Sequence, residues 1–197
     1  MGAIDLTLPP AETSSTGLIR RAKQGDREAF ESLLVLHERR VLRTALRLLG
    51  RVDLAQDAAQ EVFLRLYKYL ARFDDERELG PWLYRMVVNV CHDLRRRQST
   101  PPSVPIDDVE EPVATRGSTV EVDARLDRDR QRERVARALD TLPEKERAAL
   151  VLRDIEGLST AEVAGLLGSS EATVRSQIST ARVKVKKAVD RMGKVRS

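Results

Sequence analysis

Residues 159–187 read STAEVAGLLGSSEATVRSQISTARVKVKK, and this stretch predicts two helices joined by a tight turn. Ser159 and Glu162 have the spacing of a capping box, in which each side chain satisfies a free backbone N–H of the other residue. Gly168 predicts the end of the first helix, because glycine adopts a left-handed backbone at little cost. Ser170 predicts the N-cap of the second helix. The stretch therefore predicts a helix-turn-helix with a long second helix.

The second helix has an apolar face and a polar face. Apolar residues that recur every three or four positions predict the buried face: Val174, Ile178, Ala181 and Val185. The opposite face starts with short polar side chains and becomes cationic, a layout typical of a helix whose first turns read base edges and whose later cations contact phosphates. Its residues are Thr173, Arg175, Ser176, Ser179, Thr180, Arg182, Lys184 and Lys186. Alternatively, the hairpin is merely amphipathic and these charges form a solvated surface.

The composition favours a helical protein that binds a polyanion. The chain has 197 residues, only 10 Gly and 8 Pro, and 34% charged residues, which fits one or two all-helical domains. The formal net charge is only +4, but residues 171–197 contain eight Lys or Arg and two acidic residues, a local net charge of +6. A cationic end on a nearly balanced chain indicates a local site for a polyanion, most simply nucleic acid.

Several classes of protein are excluded by the sequence. Cys91 is the single cysteine, so no internal disulfide forms and a reducing compartment, the cytoplasm, is expected. No apolar run is long enough to span a bilayer, and the first 15 residues lack the features of a signal peptide. Cys91, His92 and Asp93 are adjacent on a predicted helix and cannot converge as a catalytic triad. With no zinc spacing and no glycine-rich phosphate loop, we expect no enzyme, metal or cofactor.

The chain is predicted to be all-α, with two small helical domains joined by a flexible acidic linker. We expect a flexible tail at 1–15, a first domain at 16–98, the linker at 99–120 and a second domain at 121–197. The linker region is rich in proline and lacks a periodic apolar pattern. Residues 98–120 carry four acidic residues against one Arg, and extended they could reach roughly 75 Å.

Local signals predict the helices of both domains. The first domain is expected to contain helices at 16–24, 27–49, 54–72 and 82–98, with N-caps at Asp26 and Asp53 and a helix end at Gly50. His37 falls in the apolar stripe of the second helix and is expected to be packed. The second domain is expected to add helices at 121–140 and 144–154, the latter with a capping box of Thr141 and Glu144.

The third predicted helix has more apolar surface than one buried stripe needs. Phe63 and Leu64 cannot both join Val62 on a narrow stripe, and the remaining surface carries Asp57, Gln60, Glu61 and Lys68. This excess indicates either a surface that binds a partner or a helix buried on two sides of its own bundle.

The fourth predicted helix offers a face suited to unpaired bases. Aromatic rings can stack on bases, and arginine and asparagine can contact the backbone and base edges. The residues that can share this side are Trp82, Arg85, Asn89, Asp93 and Arg96, followed by the run Arg95, Arg96 and Arg97. Alternatively, Trp82 and Tyr84 belong to the core.

Three stretches together resemble the two conserved portions of bacterial sigma-70 family sigma factors. They are DLAQDAAQEVFLRLYKYLARFD at 53–74, PWLYRMVVNVCHDLRRR at 81–97 and LPEKERAALVLRDIEGLSTAEVAGLLGSSEATVRSQISTAR at 142–182. The chain is most similar to the small extracytoplasmic-function (ECF) group, which retains only regions two and four. The resemblance extends from about residue 18 to about residue 188. It implies that 16–98 is the region-two domain and 121–197 the region-four helix-turn-helix domain.

The resemblance implies a role for each surface. The third helix would dock on the clamp helices of core RNA polymerase through Asp57, Gln60, Glu61, Phe63 and Leu64. The loop at 73–80 and the fourth helix would open the minus-ten promoter element and hold one strand through Trp82, Arg85, Asn89, Asp93, Arg95, Arg96 and Arg97. The second helix of the helix-turn-helix would read the minus-thirty-five element through Ser170, Thr173, Arg175, Ser176, Ser179, Thr180, Arg182 and Lys184. The linker would thread the polymerase cleft.

A sigma factor of this group implies core RNA polymerase and promoter DNA as partners, together with a separate anti-sigma factor. Two rival functions stay open at this point. A LuxR-like regulator would not need the surface within 53–97, and a sigma mimic that only sequesters an anti-sigma factor would not need the cationic helix at 171–187.

Overall fold

A computed structural model describes residues 15–75, 77–99, 131 and 133–194, and every regular element among them is a helix. These residues form two compact units, one from 15–46 and 51–92 and the other from 47–50 and the described part of 93–194. The prediction of an all-α fold is confirmed. The predicted tail and almost all of the predicted linker lie outside the described residues, so the domain boundaries stay a prediction.

The first unit is a bundle of helices joined by short turns. Its elements are α1 (Ser15–Lys23), α2 (Arg27–Leu49) as far as Leu46, α3 (Val52–Tyr69), a 3₁₀ turn (Leu70–Arg72) and α4 (Leu79–Ser99) as far as His92. The predicted N-cap at Asp26 is confirmed, because the backbone N–H of Ala29 donates to Asp26 Oδ1 at 3.1 Å. This bond, with a second from Arg21, lowers the pKa of Asp26. Gly50 follows α2 with a φ of 76°, as a left-handed helix end requires.

Two predicted helix starts in this unit are wrong. Asp53 does not cap α3: the N-cap is Arg51, without a side-chain bond, and Asp53 lies in the first turn, paired with the Arg51 guanidinium. That pairing lowers the pKa of Asp53 and leaves its carboxylate engaged outside the helix. The fourth helix begins at Leu79 instead of Trp82, because Leu79 is buried and joins the core.

The apolar stripes predicted from the sequence form the core of this unit. Fully or nearly fully buried residues include Leu33, Val41, Ala45, Ala55, Ala58, Val62, Leu66, Leu83, Val87 and Val90. Burying each Val or Leu side chain stabilises the fold by about 1.5–3 kcal/mol. Tyr84 is also buried, with the Arg40 guanidinium 5.9 Å from its ring centroid, so the core interpretation of Tyr84 is the right one.

The second unit contains the helix-turn-helix. Its elements are α5 at residues 133–140, α6 (Glu144–Leu150), a π-helical turn (Val151–Ile155), α7 (Thr160–Leu167) and α8 (Glu171–Lys194). The predicted capping box is confirmed: Ser159 N donates to Glu162 Oε2 at 2.7 Å, and Glu162 N donates to Ser159 Oγ at 3.2 Å. Gly168 has a left-handed backbone, with a φ of 58°.

The capping box predicted at Thr141 and Glu144 is wrong. Pro143 is the N-cap of α6 and makes no side-chain bond to it. The Thr141 hydroxyl donates instead to the carbonyl of Ala138 at the end of α5, at 2.8 Å, so it does not cap α6. The chain after α6 continues as a π-helical turn that buries Val151 and Leu152, which the sequence predicts as core.

His37 gives the first unit a predicted dependence on pH. Its side chain is buried in the stripe of α2, and its Nε2 has no hydrogen-bond partner among the described residues. Burial, assisted by the positive charge of Arg40, lowers the pKa of His37 below its ordinary value. The unfolded chain therefore binds a proton at pH values where the folded unit does not.

We expect the free energy of unfolding of this unit to decrease as the pH falls below about 6.5, the ordinary pKa of histidine. Urea denaturation followed by fluorescence of Trp82, the single tryptophan, measures it at several pH values above about 5, where most carboxylates stay ionised. His37→Gln should remove this part of the pH dependence, while His92→Gln, at an exposed position, should keep it. An unchanged pH dependence in His37→Gln would contradict the assignment.

Candidate nucleic-acid interface

The start of α8 is built from hydroxyl groups. Ser170 is the predicted cap: the backbone N–H of Thr173 donates to Ser170 Oγ at 3.1 Å, and the two hydroxyl oxygens lie 2.8 Å apart. Of the predicted base-reading residues, Ser170 is therefore engaged in holding the helix start. The other short polar side chains are exposed along the first three turns: Thr173, Ser176, Ser179 and Thr180.

The inner face of α8 fixes which residues point outward. Val174, Ile178 and Ala181 are buried, and α8 packs against α6 and α7. Because a helix advances 3.6 residues per turn, burying these positions places the residues beside them on the open side. The predicted polar face is thus exposed along its whole length.

Three cations of this face, Arg175, Arg182 and Lys184, are paired with acidic side chains. Arg175 lies 3.3 Å from Glu171, one turn before it on the same helix. The Arg182 guanidinium donates from Nε and Nη2 to both oxygens of Asp154, each at 2.7 Å, and this raises the pKa of Arg182. Lys184 Nζ donates to Glu146 at 2.8 Å. The sequence analysis missed the last two pairs, because their partners are 28 and 38 residues away and no local pattern joins them.

The exposed face of α4 keeps part of the predicted set. Arg85, Asn89, Arg96 and Arg97 are exposed, and Arg96 lies 3.7 Å from the half-buried Asp93. Arg95 is turned inward and donates to the carbonyl of Leu48. A positive and hydrogen-bonding surface therefore remains around Arg85 and Asn89.

Trp82 lies between the two interpretations of its role. Its ring is half-buried and packs on Phe73, with the ring centroids 4.9 Å apart and an interplanar angle of 37°. Phe73 itself is buried. One face of the indole is thus tied to the loop before α4, and the exposed remainder is available to a ligand.

The loop that precedes α4 is fastened to α1. Lys23 Nζ donates to the carbonyl of Phe73 at 2.7 Å and to Asp75 Oδ1 at 2.9 Å. The bond from Lys23 lowers the pKa of the Asp75 carboxyl. The sequence analysis missed this contact, since about 50 residues separate the partners. It sets the position of Phe73 and, through it, of Trp82.

The outer face of α3 has exposed apolar side chains. Leu64 is 65% exposed and Tyr67 is 72% exposed, while Phe63 is half-buried. Asp57 and Gln60 are exposed beside them, and Glu61 pairs with Arg65 at 2.6 Å. Within the described residues this face is not covered, which favours the partner-surface interpretation over burial on two sides. Tyr67, whose ring meets Phe30 edge-on at 5.2 Å, extends the predicted set.

No group of three or more His, Cys, Asp or Glu side chains among the described residues is arranged to hold a metal ion. Cys91 is buried and therefore has no access to a substrate. No helix in the described ranges is long and apolar enough to cross a membrane.

Two family models and a known protein are similar in sequence to this chain. The family model Sigma-70 region 2 matches residues 33–100, and the model Sigma-70, region 4 matches residues 132–185. The ECF RNA polymerase sigma factor SigM of Mycobacterium tuberculosis is 37% identical over 175 residues, which cover 88% of this chain and 84% of the relative.

Solved structures share the fold. CnrH, in its complex with the cytosolic domain of CnrY, has a TM-score of 0.63 and 27% identity, covering 89% of this chain and 97% of that chain. The sigma factor RpoE of Bartonella quintana, in complex with the anti-sigma factor NepR, also has a TM-score of 0.63, at 22% identity over 82% of this chain and 96% of that chain. The helical fold of this chain therefore also occurs in solved structures.

The contact of Lys23 with the loop before α4 can be tested directly. In this loop Phe73 N donates to Leu70 O and Arg77 N donates to Asp74 O, so both amides are protected from exchange. We expect Lys23→Met to speed hydrogen exchange at both amides severalfold, because two bonds that hold the loop are lost. Arg20→Met is the matched control: Arg20 approaches Asp75 only to 3.7 Å and is mostly exposed, so exchange should stay near the wild-type rate. Equal rates in all three proteins would mean that α1 does not fasten the loop.

Proposed function

Because this chain belongs to the sigma-70 family of RNA polymerase sigma factors, in its ECF group, we propose that its exposed helical faces are the surfaces with which it performs that family's task. A sigma factor binds core RNA polymerase and directs initiation at promoters, by opening the minus-ten element with region two and reading the minus-thirty-five element with region four. The protein is not an enzyme. The proposal rests on one observation. Each helix to which the family's task assigns a contact has an exposed face of the required kind, polar on α4 and α8 and apolar on α3.

We assign reading of the minus-thirty-five element to the first turns of α8. Arg175, Ser176 and Ser179 are exposed there, and a recognition helix places its N-terminal residues on base edges in the major groove. Thr173 and Thr180 extend the same face, and Ser170 supports it as the cap. Arg182 and Lys184 lie further along, where phosphate contacts are made, but each already has an acidic partner.

We assign strand opening at the minus-ten element to the exposed face of α4 and the edge of Trp82. Asn89 and Arg85 offer hydrogen bonds to unpaired bases and phosphates, and the indole offers a stacking surface. Arg96, Arg97 and Asp93 continue this face, whereas Arg95 supports α4 from within through Leu48. Fastening the preceding loop to α1 preorganises this site before DNA arrives.

We assign docking on core polymerase to the outer face of α3. Leu64, Tyr67 and Phe63 supply apolar surface, and Asp57, Gln60 and Glu61 supply the polar rim. An apolar patch rimmed by polar residues is typical of a protein-binding surface.

We further propose that the protein acts in the cytoplasm, where polymerase and promoter DNA are found, and that a separate anti-sigma factor holds it inactive. Support for the second part comes from CnrH, which is 27% identical to this chain and was solved bound to the cytosolic domain of another protein, CnrY.

The two rival functions account for less of the molecule. A LuxR-like regulator would not account for the match of residues 33–100 to Sigma-70 region 2 or for the exposed apolar face of α3. A sigma mimic leaves the exposed polar face of α8 without a purpose.

Run-off transcription tests the proposed function. Core RNA polymerase alone should give no specific transcript from a promoter of this factor, and addition of the full chain should give one. Promoters can be found by sequencing transcripts after the protein is overproduced in its host. Leu64→Asp with Tyr67→Asp should abolish the transcript, because charges on the α3 face oppose docking, and Val35→Asp, at an exposed apolar site on α2, serves as the control. Absence of any specific transcript with wild-type protein would reject the function.

Arg175→Ala should lower transcription through the minus-thirty-five element. A good contact to a base edge contributes about 1–3 kcal/mol, which corresponds to roughly a 5- to 150-fold loss of promoter affinity. The measurement compares initiation from promoters with an intact and a scrambled minus-thirty-five element. Arg191→Ala, at an exposed cation further along α8, should weaken both promoters equally. An equal fractional loss for Arg175→Ala on both promoters would remove base reading from its role.

Asn89→Ala should impair strand opening more than closed-complex formation, because it removes a contact made only to unpaired bases. Permanganate footprinting on duplex without a preformed bubble detects opening, and Gln24→Ala removes an exposed amide elsewhere as the control. Trp82→Ala should impair opening further, since stacking contributes about 1–3 kcal/mol per base. Circular dichroism separates this effect from the loss of its packing on Phe73, and Trp82→Phe should restore most of both. Normal opening by Asn89→Ala and Trp82→Ala would make this face structural.

A further inference from the structure

Two cations on the recognition face are held by carboxylates from other elements of the same unit. Arg182 makes a two-bond contact with Asp154 in the π-helical turn, and Lys184 bonds to Glu146 in α6. We refer to Asp154 and Glu146 together as the acidic clasp. It joins the cationic half of α8 to the part of the chain that precedes the helix-turn-helix.

The acids of the clasp are more deeply placed than the cations they hold. The side chain of Asp154 is 27% exposed against 61% for Arg182, and that of Glu146 is 17% exposed against 43% for Lys184. The second oxygen of Glu146 is buried without a hydrogen-bond partner in the described part of the chain. The fold therefore restrains the two acidic side chains, whereas the longer and more exposed side chains of Arg182 and Lys184 can move toward DNA.

We infer that the acidic clasp competes with DNA phosphates for Arg182 and Lys184, and so weakens nonspecific binding of the recognition helix to duplex. The inference rests on the proposed function, because it assumes that α8 faces DNA. Asp154 and Glu146 are positioning residues in this scheme: they act through the two cations and do not touch bases.

The physical reason lies in how nonspecific affinity arises. Each phosphate that a protein cation neutralises releases counterions and contributes about −0.9 to the slope of log affinity against log salt. When a paired cation moves from its carboxylate to a phosphate, the DNA releases counterions, but the carboxylate is left uncompensated. The net gain in affinity from such a cation is therefore small. Base reading by Arg175 and its neighbours is untouched, so the clasp lowers the sequence-independent part of the affinity and leaves base reading unchanged.

Binding of the full chain to a short duplex of random sequence tests this inference. Fluorescence anisotropy without core polymerase gives the affinity between roughly 0.05 and 0.2 M salt. We expect Asp154→Asn to bind about five- to tenfold more tightly near 0.1 M salt and to steepen the salt slope by about 0.9. Glu146→Gln should act in the same direction. Arg182→Gln alone should weaken binding less than Lys186→Gln does, and Asp154→Asn combined with Arg182→Gln should lose the gain.

Lys186→Gln supplies the matched control, because Lys186 is exposed on the same helix and has no ion pair among the described residues. It should weaken binding and reduce the salt slope by about 0.9. Thermal melting confirms that each variant is folded; if Asp154→Asn is not, Glu146→Gln and Lys184→Gln decide the question. Removal of one carboxylate charge would by itself raise DNA affinity, but that gain would persist after Arg182→Gln is added, whereas release of Arg182 predicts that the gain is lost.

Two results would overturn the inference, and they differ from failure of the proposed function. If Arg182→Gln weakens binding as much as Lys186→Gln and neither acid variant binds more tightly, Arg182 contacts phosphate directly and the clasp only braces the fold. If Lys186→Gln also leaves binding and salt slope unchanged, α8 does not face DNA and the proposed interface itself is wrong.

Discussion

Burial of Val174, Ile178 and Ala181 fixes the rotation of α8, and the face of α8 that we propose for DNA depends on that rotation. A shift of one residue would turn the helix by about 100° and bring polar side chains into the core. The capping box at Ser159 and the left-handed Gly168 set where α7 ends, and so where α8 can begin. Local backbone chemistry and side-chain burial thus agree on a single placement, which leaves the short polar side chains of the first three turns exposed.

Several cationic side chains of this protein are bonded within the chain. Cations that a count of residues would assign to DNA have internal partners: Arg182 and Lys184 bind acids, Arg95 binds a backbone carbonyl, and Lys23 fastens a loop. A single helix-turn-helix buries only about 600–1,000 Å² on DNA, so an isolated reader has little specific affinity to set against general attraction to phosphate. A second reader that binds only unpaired bases cannot help until the duplex is open. We propose that core polymerase holds the two readers at a fixed separation.

How much the sequence predicts depends on how local each cause is. The bounds of α2, the cap at Asp26 and the capping box at Ser159 follow from neighbours within four residues, and all were predicted correctly. The buried stripe of α8 was predicted correctly at Val174, Ile178 and Ala181, whereas Val185 is only half-buried. Asp53 and Thr141 have the right residue type for a cap but find a competing partner nearby, in Arg51 and the carbonyl of Ala138. The pairs of Lys23, Arg182 and Lys184 join residues 28 to 52 positions apart, so only the fold brings them together. The exposure of Tyr67 was missed because the sequence does not show which sides of α3 the other helices cover.

The claim that specificity appears only when polymerase holds both readers can be measured as one ratio. Affinity for a cognate promoter is divided by affinity for a duplex with both elements scrambled, at the same salt concentration, first for the full chain alone and then for its complex with core RNA polymerase. We expect a ratio close to one for the free chain and a ratio of at least about a thousandfold for the complex, at the lower end of the range for specific DNA binding. A large ratio for the free chain that core polymerase does not increase would contradict this claim and identify a self-sufficient DNA-binding regulator.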